Sequence, residues 1–129
     1  MYIEILIDVT EEIVSAFERL MPQLTHHSPA PSRGDLLEMA SSGSIFVFLA
    51  RGGDGRIYGT ATLATFRTPT GLHGWIEDVV VDREARRQGI GKALTEACLD
   101  QARGMGLREV NLTSRSSRCY ANQLYQAMG

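Results

Sequence analysis

The chain has few of the features that mark secreted, membrane or nucleic-acid-binding proteins. Its two cysteines, Cys98 and Cys119, are too few for a disulfide framework, and they form no CxxC pair of the kind that binds zinc. The longest uninterrupted apolar stretch, Ile45 to Ala50, is far too short to span a bilayer. A formal net charge of -2 provides no strong field for nucleic acid or an anionic membrane. We therefore expect a cytoplasmic protein with no metal site, no membrane contact and no nucleic-acid partner.

Length and hydrophobic periodicity predict one domain that mixes helices and strands. The 129 residues suit a single domain over 1–129, and contents of 43% hydrophobic and 22% charged residues are ordinary for a globular protein. The patterns give a strand, two helices, three antiparallel strands, a helix, a strand and a helix. The strands that flank the long helix, within Trp75 to Thr113, should be parallel. The expected fold is therefore α/β or α+β, with a central mixed sheet flanked by helices.

Capping and helix-breaking residues set the expected bounds of these elements. Thr10 and Ser32 should cap the first two helices, and Pro22 should end the first. In the second helix, Leu36 and Leu37 should share the apolar side. The expected strands cover 1–9, 44–51, 56–66, 75–81 and 109–113, the long helix begins near 89, and a last helix covers 121–128.

The most informative stretch is Ile76 to Lys92, which reads IEDVVVDREARRQGIGK. Its apolar strand end, typical of a strand covered on both faces, leads into a turn rich in Arg and Gly and then into a helix. The unpaired N–H groups and the dipole of a helix N-terminus favour an anion, and Gly89 and Gly91 would let a phosphate approach the backbone. The residues alone thus predict a pyrophosphate or similar anion at 87–92. Positive charge there comes from Arg86, Arg87 and Lys92.

A purely structural interpretation of the two glycines is also possible. They could simply let a helix pack tightly under a strand, because short glycine patterns occur often by chance. Other phosphate-binding signatures do not fit, since neither G-x-G-x-x-G nor G-x-x-x-x-G-K-S/T is present.

Two motifs at a suitable separation resemble the GNAT superfamily of N-acetyltransferases. Arg86 to Gly91, RRQGIG, matches the Q/R-x-x-G-x-G/A signature, and Ala121 to Gly129, ANQLYQAMG, is similar to the A-x-x-L-Y-x-x-x-G-F segment. Two further segments look like the glucosamine-phosphate N-acetyltransferase branch. They are Ile76-Glu77-Asp78 and Met21-Pro22-Gln23-Leu24. The chain stops where the superfamily continues into Phe and a last pair of strands. The resemblance thus implies the GNAT acyl-CoA N-acyltransferase fold with its C-terminal strands missing here, through truncation or because a partner completes the sheet.

The resemblance implies an enzyme that moves the acetyl group of acetyl-CoA to a primary amine, which attacks the thioester directly. A small-molecule acceptor, for example an amino sugar phosphate, is expected, and many relatives form homodimers. Two alternatives stay open: a regulatory module that binds acetyl-CoA without turnover, and an acetyltransferase for protein or peptide amines. The resemblance assigns binding of the pantetheine arm and the pyrophosphate to Val79, Val80, Val81, Arg86, Arg87, Gln88, Gly89, Ile90, Gly91, Lys92 and Asn122.

The same resemblance makes Tyr125 the general acid that protonates the departing thiolate, although Tyr125 could instead pack beside Leu124 and Met128. An alkylamine has a pKa of about 10, so a carboxylate that removes its proton, directly or through water, would help. Glu77 and Asp78 are the candidates, and an ion pair with a nearby Arg is the alternative role for either. On a regular strand they would face opposite sides, so only one of them should reach the site. Glu77 is preferred, but a bulge would overturn this choice.

Five other side chains each have two interpretations. His26 and His27 either border the acceptor pocket or lie in solvent, with solvent exposure favoured. Trp75 should pack, although it could edge the pocket. Arg115 and Arg118 either bind an acidic acceptor or the 3′-phosphate of the cofactor, or they are simply solvated.

Overall fold

The computed structural model describes residues 1–112, in which five strands form one mixed sheet. Neighbouring strands are antiparallel except the last two, which are parallel. The predicted mixed sheet and its parallel pair are therefore confirmed, whereas the helix predicted over 121–128 lies outside the described residues. In their order across the sheet, the strands are β1 (Tyr2–Ile5), β2 (Ile45–Arg51), β3 (Ile57–Thr68), β4 (Gly71–Val81) and β5 (Glu109–Leu112).

Three α-helices cover the two faces of the sheet: α1 (Glu11–Leu24), α2 (Arg33–Ser41) and α3 (Ile90–Gly104). On one face, α3 packs Leu94 and Cys98 against Leu63 of β3. On the other face, α1 and α2 form a second core with β2, in which Leu20 and Leu36 are fully buried. Side chains alternate between the faces of a strand, so β2, β3 and β4 each supply residues to both cores.

The predicted helix starts are confirmed by their caps. The Thr10 side chain accepts a hydrogen bond from the Ile13 N–H at 3.2 Å, one of the donors that a helix start leaves unpaired. Ser32 and Asp35 form a capping box, in which each side chain accepts from the other residue's N–H. The chain therefore enters both helices at the positions that its polar residues indicate.

Two expectations for these helices are wrong. Pro22 lies inside α1 rather than at its end, because a proline removes only its own N–H, and the Thr25 N–H still donates to the Met21 carbonyl at 3.0 Å. Leu37 is 45% exposed, whereas Leu36 is buried. Adjacent residues on a helix differ in direction by about 100°, so one leucine takes the core position and the other faces solvent.

The ends of several strands also differ from the sequence pattern. β1 stops at Ile5 instead of Val9, and Ile7 beyond it is exposed, because the chain leaves the sheet early to reach α1. β3 and β4 are longer than predicted, since the turn that joins them contains only residues 69 and 70, and Thr68 pairs directly with Gly71. The long β3–β4 hairpin forms the centre of the sheet and positions the segment after it.

Candidate functional site

β4 contains a bulge at the two candidate carboxylates. Glu77 pairs with Thr62 of β3, and the next pair is Val80 with Thr60, so β4 carries one extra residue in this interval. Within it, Asp78 adopts a φ of 53°, in the left-handed region that few residues other than glycine, asparagine and aspartate occupy. A bulge redirects side chains. The expectation that Glu77 and Asp78 lie on a regular strand is therefore wrong. The choice between them can no longer rest on the alternation of side chains along a strand.

Among residues 1–112, the edge of β4 that faces away from β3 has no strand partner beyond Ile76. Pairing with β5 runs from His73 to Ile76, whose partner Leu112 is the last described residue. Within the described chain, the rest of β4, from Glu77 to Val81, pairs with β3 alone. An extended molecule with amide groups could add to this edge as a further strand.

Three valines hold the backbone of this open edge. Val79 and Val81 pack against the core on the α3 side, and Val80 is buried in the core on the α1–α2 side. The prediction that this strand end is covered on both faces is confirmed. Because the side chains are committed to packing, their backbone groups are the parts that could contact a ligand.

The chain then makes an exposed turn that leads into α3. A single turn of 3-10 helix, Arg83–Ala85, is capped by the buried Asp82. Residues 86–89 are exposed, and both Arg87 and Gly89 have left-handed φ values, of 67° and 79°. Two residues with left-handed backbone therefore lie just before the helix begins.

The first turn of α3 presents unpaired backbone N–H groups. Gly89 is the N-cap and offers no side-chain hydrogen bond. The Ala93 N–H donates to the Gly89 carbonyl at 3.0 Å, but the N–H groups of Ile90, Gly91 and Lys92 meet no acceptor among residues 1–112. Three free donors at the positive end of a helix dipole form a site suited to an anion.

Close packing does not explain the two glycines. A Cβ at Gly89 would meet no heavy atom within 4 Å, and one at Gly91 would make an ordinary 3.6 Å contact with Val81 Cγ2. What Gly89 does provide is its φ of 79°, which costs other residues energy. The interpretation in which these glycines only let a helix pack tightly under a strand therefore does not hold.

Positive side chains lie around this helix start. Arg86, Arg87 and Lys92 are all exposed, and none forms an ion pair with a carboxylate in the described part of the chain. Their charges are thus free to interact with a bound anion. The structure brings these three cations to the same turn as the unpaired N–H groups, as the sequence predicted.

A cavity of about 360 Å³ opens on the α1–α2 side of the sheet, beside the bulge. Its volume is within the range of small-molecule sites. Its apolar wall comes from both helices, from the loop between them and from β2. The residues of this wall include Phe17, Met21, Leu24, Pro29, Met39 and Val47.

The polar lining of the cavity comes from the sheet, from α2 and from the loop between α1 and α2. Thr60 and Thr62 of β3 face it, and the Thr60 hydroxyl donates to the Phe48 carbonyl at 2.9 Å. Thr25 and Ser28 add hydroxyl groups, and Asp35 and Asp78 add two carboxylates. The bulge in β4 therefore places one of the two candidate carboxylates at the cavity.

Glu77, next to Asp78, is half-buried and has an altered acidity. Burial disfavours its charged form and, together with the negative charge of Asp78, raises the pKa of Glu77 above its ordinary value. Neither carboxylate forms an ion pair with a cation in residues 1–112. The alternative role, pairing with a nearby Arg, is thus not observed for either residue in that range.

Several lining residues were not identified from the sequence, and some expected ones lie elsewhere. His26 and His27 are exposed and do not line the cavity, whereas the next two residues, Ser28 and Pro29, do. Trp75 is 37% exposed, so the expectation that it packs is wrong. The two prolines of the α1–α2 loop, Pro29 and Pro31, were the sequence feature from which this loop could have been predicted to line a cavity.

Four candidate residues lie outside the described residues. These are Arg115, Arg118, Asn122 and Tyr125.

Residues 1–112 give no indication of metal binding, of a membrane-spanning helix or of a reactive thiol. They contain no group of three or more His, Cys, Asp or Glu side chains arranged to hold a metal ion. None of the described helices is both long and apolar enough to cross a membrane. Cys98 is buried in the core, which raises the pKa of its thiol to about 12 and suppresses the reactive thiolate.

Comparisons with known proteins agree with this geometry. A model described as Acetyltransferase (GNAT) family matches residues 9–129. The crystal structure of an acetyltransferase from Trypanosoma brucei is 30% identical, with a TM-score of 0.72 over 95% of this chain and 91% of that one. Glucosamine-6-phosphate N-acetyltransferase from Arabidopsis thaliana shares the fold, with 23% identity and a TM-score of 0.77 over 95% of this chain and 90% of that one. Human N-acetyltransferase 8 is 49% identical over 49 residues, which make up 38% of this chain and only 22% of that protein.

Proposed function

We propose that this chain, which belongs to the GNAT acetyltransferase family, transfers the acetyl group of acetyl-CoA to the primary amine of a small molecule by direct attack on the thioester. Residues 1–129 act as one domain in this proposal. The observation that carries it is the continuity of β4 with α3. One stretch of chain presents first an open strand edge and then a helix start with three unpaired N–H groups.

The two ends of this stretch fit the two halves of acetyl-CoA. The pantetheine arm is extended and contains amides, so it can pair with the backbone of Val79, Val80 and Val81. The diphosphate carries the negative charge that the N–H groups of residues 87–92 would bind, with Arg86, Arg87 and Lys92 around it. When bound there, acetyl-CoA supplies the activated acetyl group. A backbone N–H near Val79 would stabilise charge on the carbonyl oxygen.

The two carboxylates of the bulge take different roles in this proposal. Asp78 lines the cavity and contacts the acceptor amine. Glu77 removes the proton, directly or through water, because its raised pKa makes it a stronger base than an ordinary glutamate. An amine with a pKa of about 10 is almost wholly protonated at neutral pH, so it cannot attack until that proton leaves.

Tyr125 and Asn122 complete the site on the strength of their motif. Tyr125 would protonate the departing thiolate, because a tyrosine pKa near 10 lies somewhat above that of a thiol. Asn122 would contact the pantetheine end of acetyl-CoA. Both assignments are taken from the family segment that residues 121–129 resemble.

Calorimetry with a pair of variants at Gly89 tests the cofactor site. Gly89→Glu should abolish acetyl-CoA binding, because its carboxylate would occupy the anion site. Gly89→Asn is the matched control: asparagine tolerates a positive φ and adds no charge, so binding should weaken far less. Unchanged affinity in Gly89→Glu would refute the assignment of this turn to the diphosphate.

Thiol release from acetyl-CoA, measured across a broad panel of amines, tests the transfer itself. Release that depends on an amine is the expected result. Binding of acetyl-CoA with no release for any amine or peptide would support the regulatory module instead. Release with peptides alone would support a protein acetyltransferase.

A further inference from the structure

We propose that the acceptor is a small amine with an apolar body and no phosphate or carboxylate group. This inference rests on the proposed acetyl transfer and narrows its substrate. It comes from the charges and surfaces that line the cavity beside Asp78.

The charge of the cavity is negative. Its described lining includes two carboxylates, Asp35 and Asp78, and no Lys, Arg or His. Asp78 has no hydrogen-bond or ion-pair partner among the described residues, and the bulge holds its backbone in a left-handed conformation. An unpaired carboxylate in a concave site attracts an ammonium group and repels a second anion.

Among residues 1–112, the arginines of the two helices that line the cavity, α1 and α2, are bonded to other groups. Arg33 at the start of α2 donates to the Val9 carbonyl at 2.9 Å and to the Glu11 carboxylate. Arg19 of α1 donates to Asp82 and to the Ile57 carbonyl, and it does not line the cavity. Neither guanidinium is therefore available to neutralise a phosphate or carboxylate on the acceptor.

The N-terminus of α2 already holds a carboxylate of its own. Helix starts bind phosphate when their N–H groups are free. Here the Asp35 carboxylate accepts from the Ser32 N–H at 3.0 Å, and the Ser32 hydroxyl accepts from the Asp35 N–H at 3.1 Å. The helix supplies its own anion at this position, and that anion lines the cavity.

The remaining lining favours an apolar body on the acceptor. Phe17 and Met21 are buried, and Met39, Val47 and Pro29 extend the same apolar surface. Such a wall favours binding of each apolar group that it removes from water. A strongly hydrated sugar phosphate would lose its water here without gaining matching partners.

Matched pairs of amines test the proposal through thiol release. Hexylamine and 6-aminohexanoate differ by a carboxylate remote from the amine, and glucosamine and glucosamine 6-phosphate differ by a phosphate. We expect kcat/KM to favour the member without the anion by about tenfold or more in each pair, as charge repulsion at a partly screened site predicts. Calorimetry of the same compounds with the protein saturated in coenzyme A gives the comparison without turnover.

Two leucine variants locate the selectivity in the cavity. Leu24 lines the rim and is 38% exposed, so Leu24→Lys can be accommodated and should shift both ratios towards the anionic member. Leu37→Lys adds the same charge at an exposed site outside the cavity and should leave the ratios unchanged.

The outcomes separate this inference from the proposed function. A preference for the anionic member, in turnover or in binding, would overturn the inference while leaving acetyl transfer intact. Equal ratios in the original chain and in Leu24→Lys would also overturn it. If acetyl-CoA binds and no amine is acetylated, the proposed function fails, and calorimetry of the pairs still decides the selectivity of the cavity.

Discussion

Asp78 shows how one backbone conformation decides the chemistry of a site. On a regular strand, adjacent residues point to opposite faces, and Asp78 would then face the α3 core. Its φ of 53° and the extra residue between Glu77 and Val80 release it from that alternation. Asp78 instead lines the cavity, and its charge helps to raise the pKa of Glu77. The different roles proposed for the two carboxylates follow from this single bulge.

Exchanging each carboxylate for its amide should separate the two roles. Glu77→Gln should lower kcat by about 10²- to 10⁴-fold, the range that general base catalysis supplies. In the original chain, the acidic limb of the kcat/KM profile should lie above the ordinary glutamate range, because only the ionised base is active and its pKa is raised. Asp78→Asn should mainly raise KM for the amine. Loss of the acidic limb in Asp78→Asn, with the limb kept in Glu77→Gln, would reverse the assignment.

The stability of Glu77→Gln serves as the control for that experiment. Folding raises the pKa of Glu77, so this group's contribution to stability is present at low pH and is lost as pH rises through the folded-state pKa. Glutamine does not ionise, so the variant does not lose stability in this way as pH rises. The variant should therefore be at least as stable as the original chain at neutral pH in urea unfolding, and a lower activity could not then be attributed to unfolding.

At the scale of elements, α1 joins the cavity to the cofactor turn. Arg19 donates from Nε to Asp82 Oδ2 at 3.2 Å, and the Gln23 side chain accepts from the Arg83 N–H at 2.8 Å. Phe17 and Met21 of the same helix line the cavity. A displacement of α1 would thus disturb the cavity lining and the start of the turn that leads into α3 together.

Removing the Arg19 link should weaken both stability and cofactor binding. In Arg19→Met, the buried Asp82 loses its charged partner, which should cost about 1–3 kcal/mol in urea unfolding. The less constrained turn should raise KM for acetyl-CoA more than KM for the amine. Arg33→Met is the control, because its pair with Glu11 is exposed and should contribute less than about 1 kcal/mol. Similar losses in both variants would contradict the role of Arg19.

The elements that local signals determine were predictable, and those that depend on tertiary pairing were not. The starts of α1 and α2 were predictable from Thr10 and Ser32, because a capping side chain accepts a hydrogen bond from a backbone N–H three residues further along the chain. The helix start at Gly89 followed from its glycines and from the polar turn before it. The bulge at Asp78 follows from how β4 pairs with β3, which no local pattern in this sequence reveals. The position of Thr60 in the cavity lining also could not be predicted. The cavity exists only where α1 and α2 pack over the sheet, and this packing is tertiary.

At the scale of the whole molecule, the proposed site depends on both cores at once. The cavity belongs to the α1–α2 side of the sheet, and the unpaired N–H groups belong to α3 on the other side. β4 connects them, with Val80 in one core and Val79 and Val81 in the other. Because both cores share the central strands, neither layer should retain its structure alone, and unfolding should be cooperative.

Truncating one leucine in each layer tests this dependence. Leu20→Ala in α1 and Leu99→Ala in α3 both empty fully buried positions, so each should cost about 2–5 kcal/mol, whereas Leu37→Ala at an exposed site should change stability by less than about 0.5 kcal/mol. Fluorescence of the single tryptophan, Trp75 on β4, and far-UV circular dichroism should give coincident transitions in all three. Acetyl-CoA at about 100 times its Kd should add about 2.7 kcal/mol to each. Two separate transitions in Leu20→Ala would mean that the α3 layer, with its phosphate turn, folds without the layer that holds the acceptor.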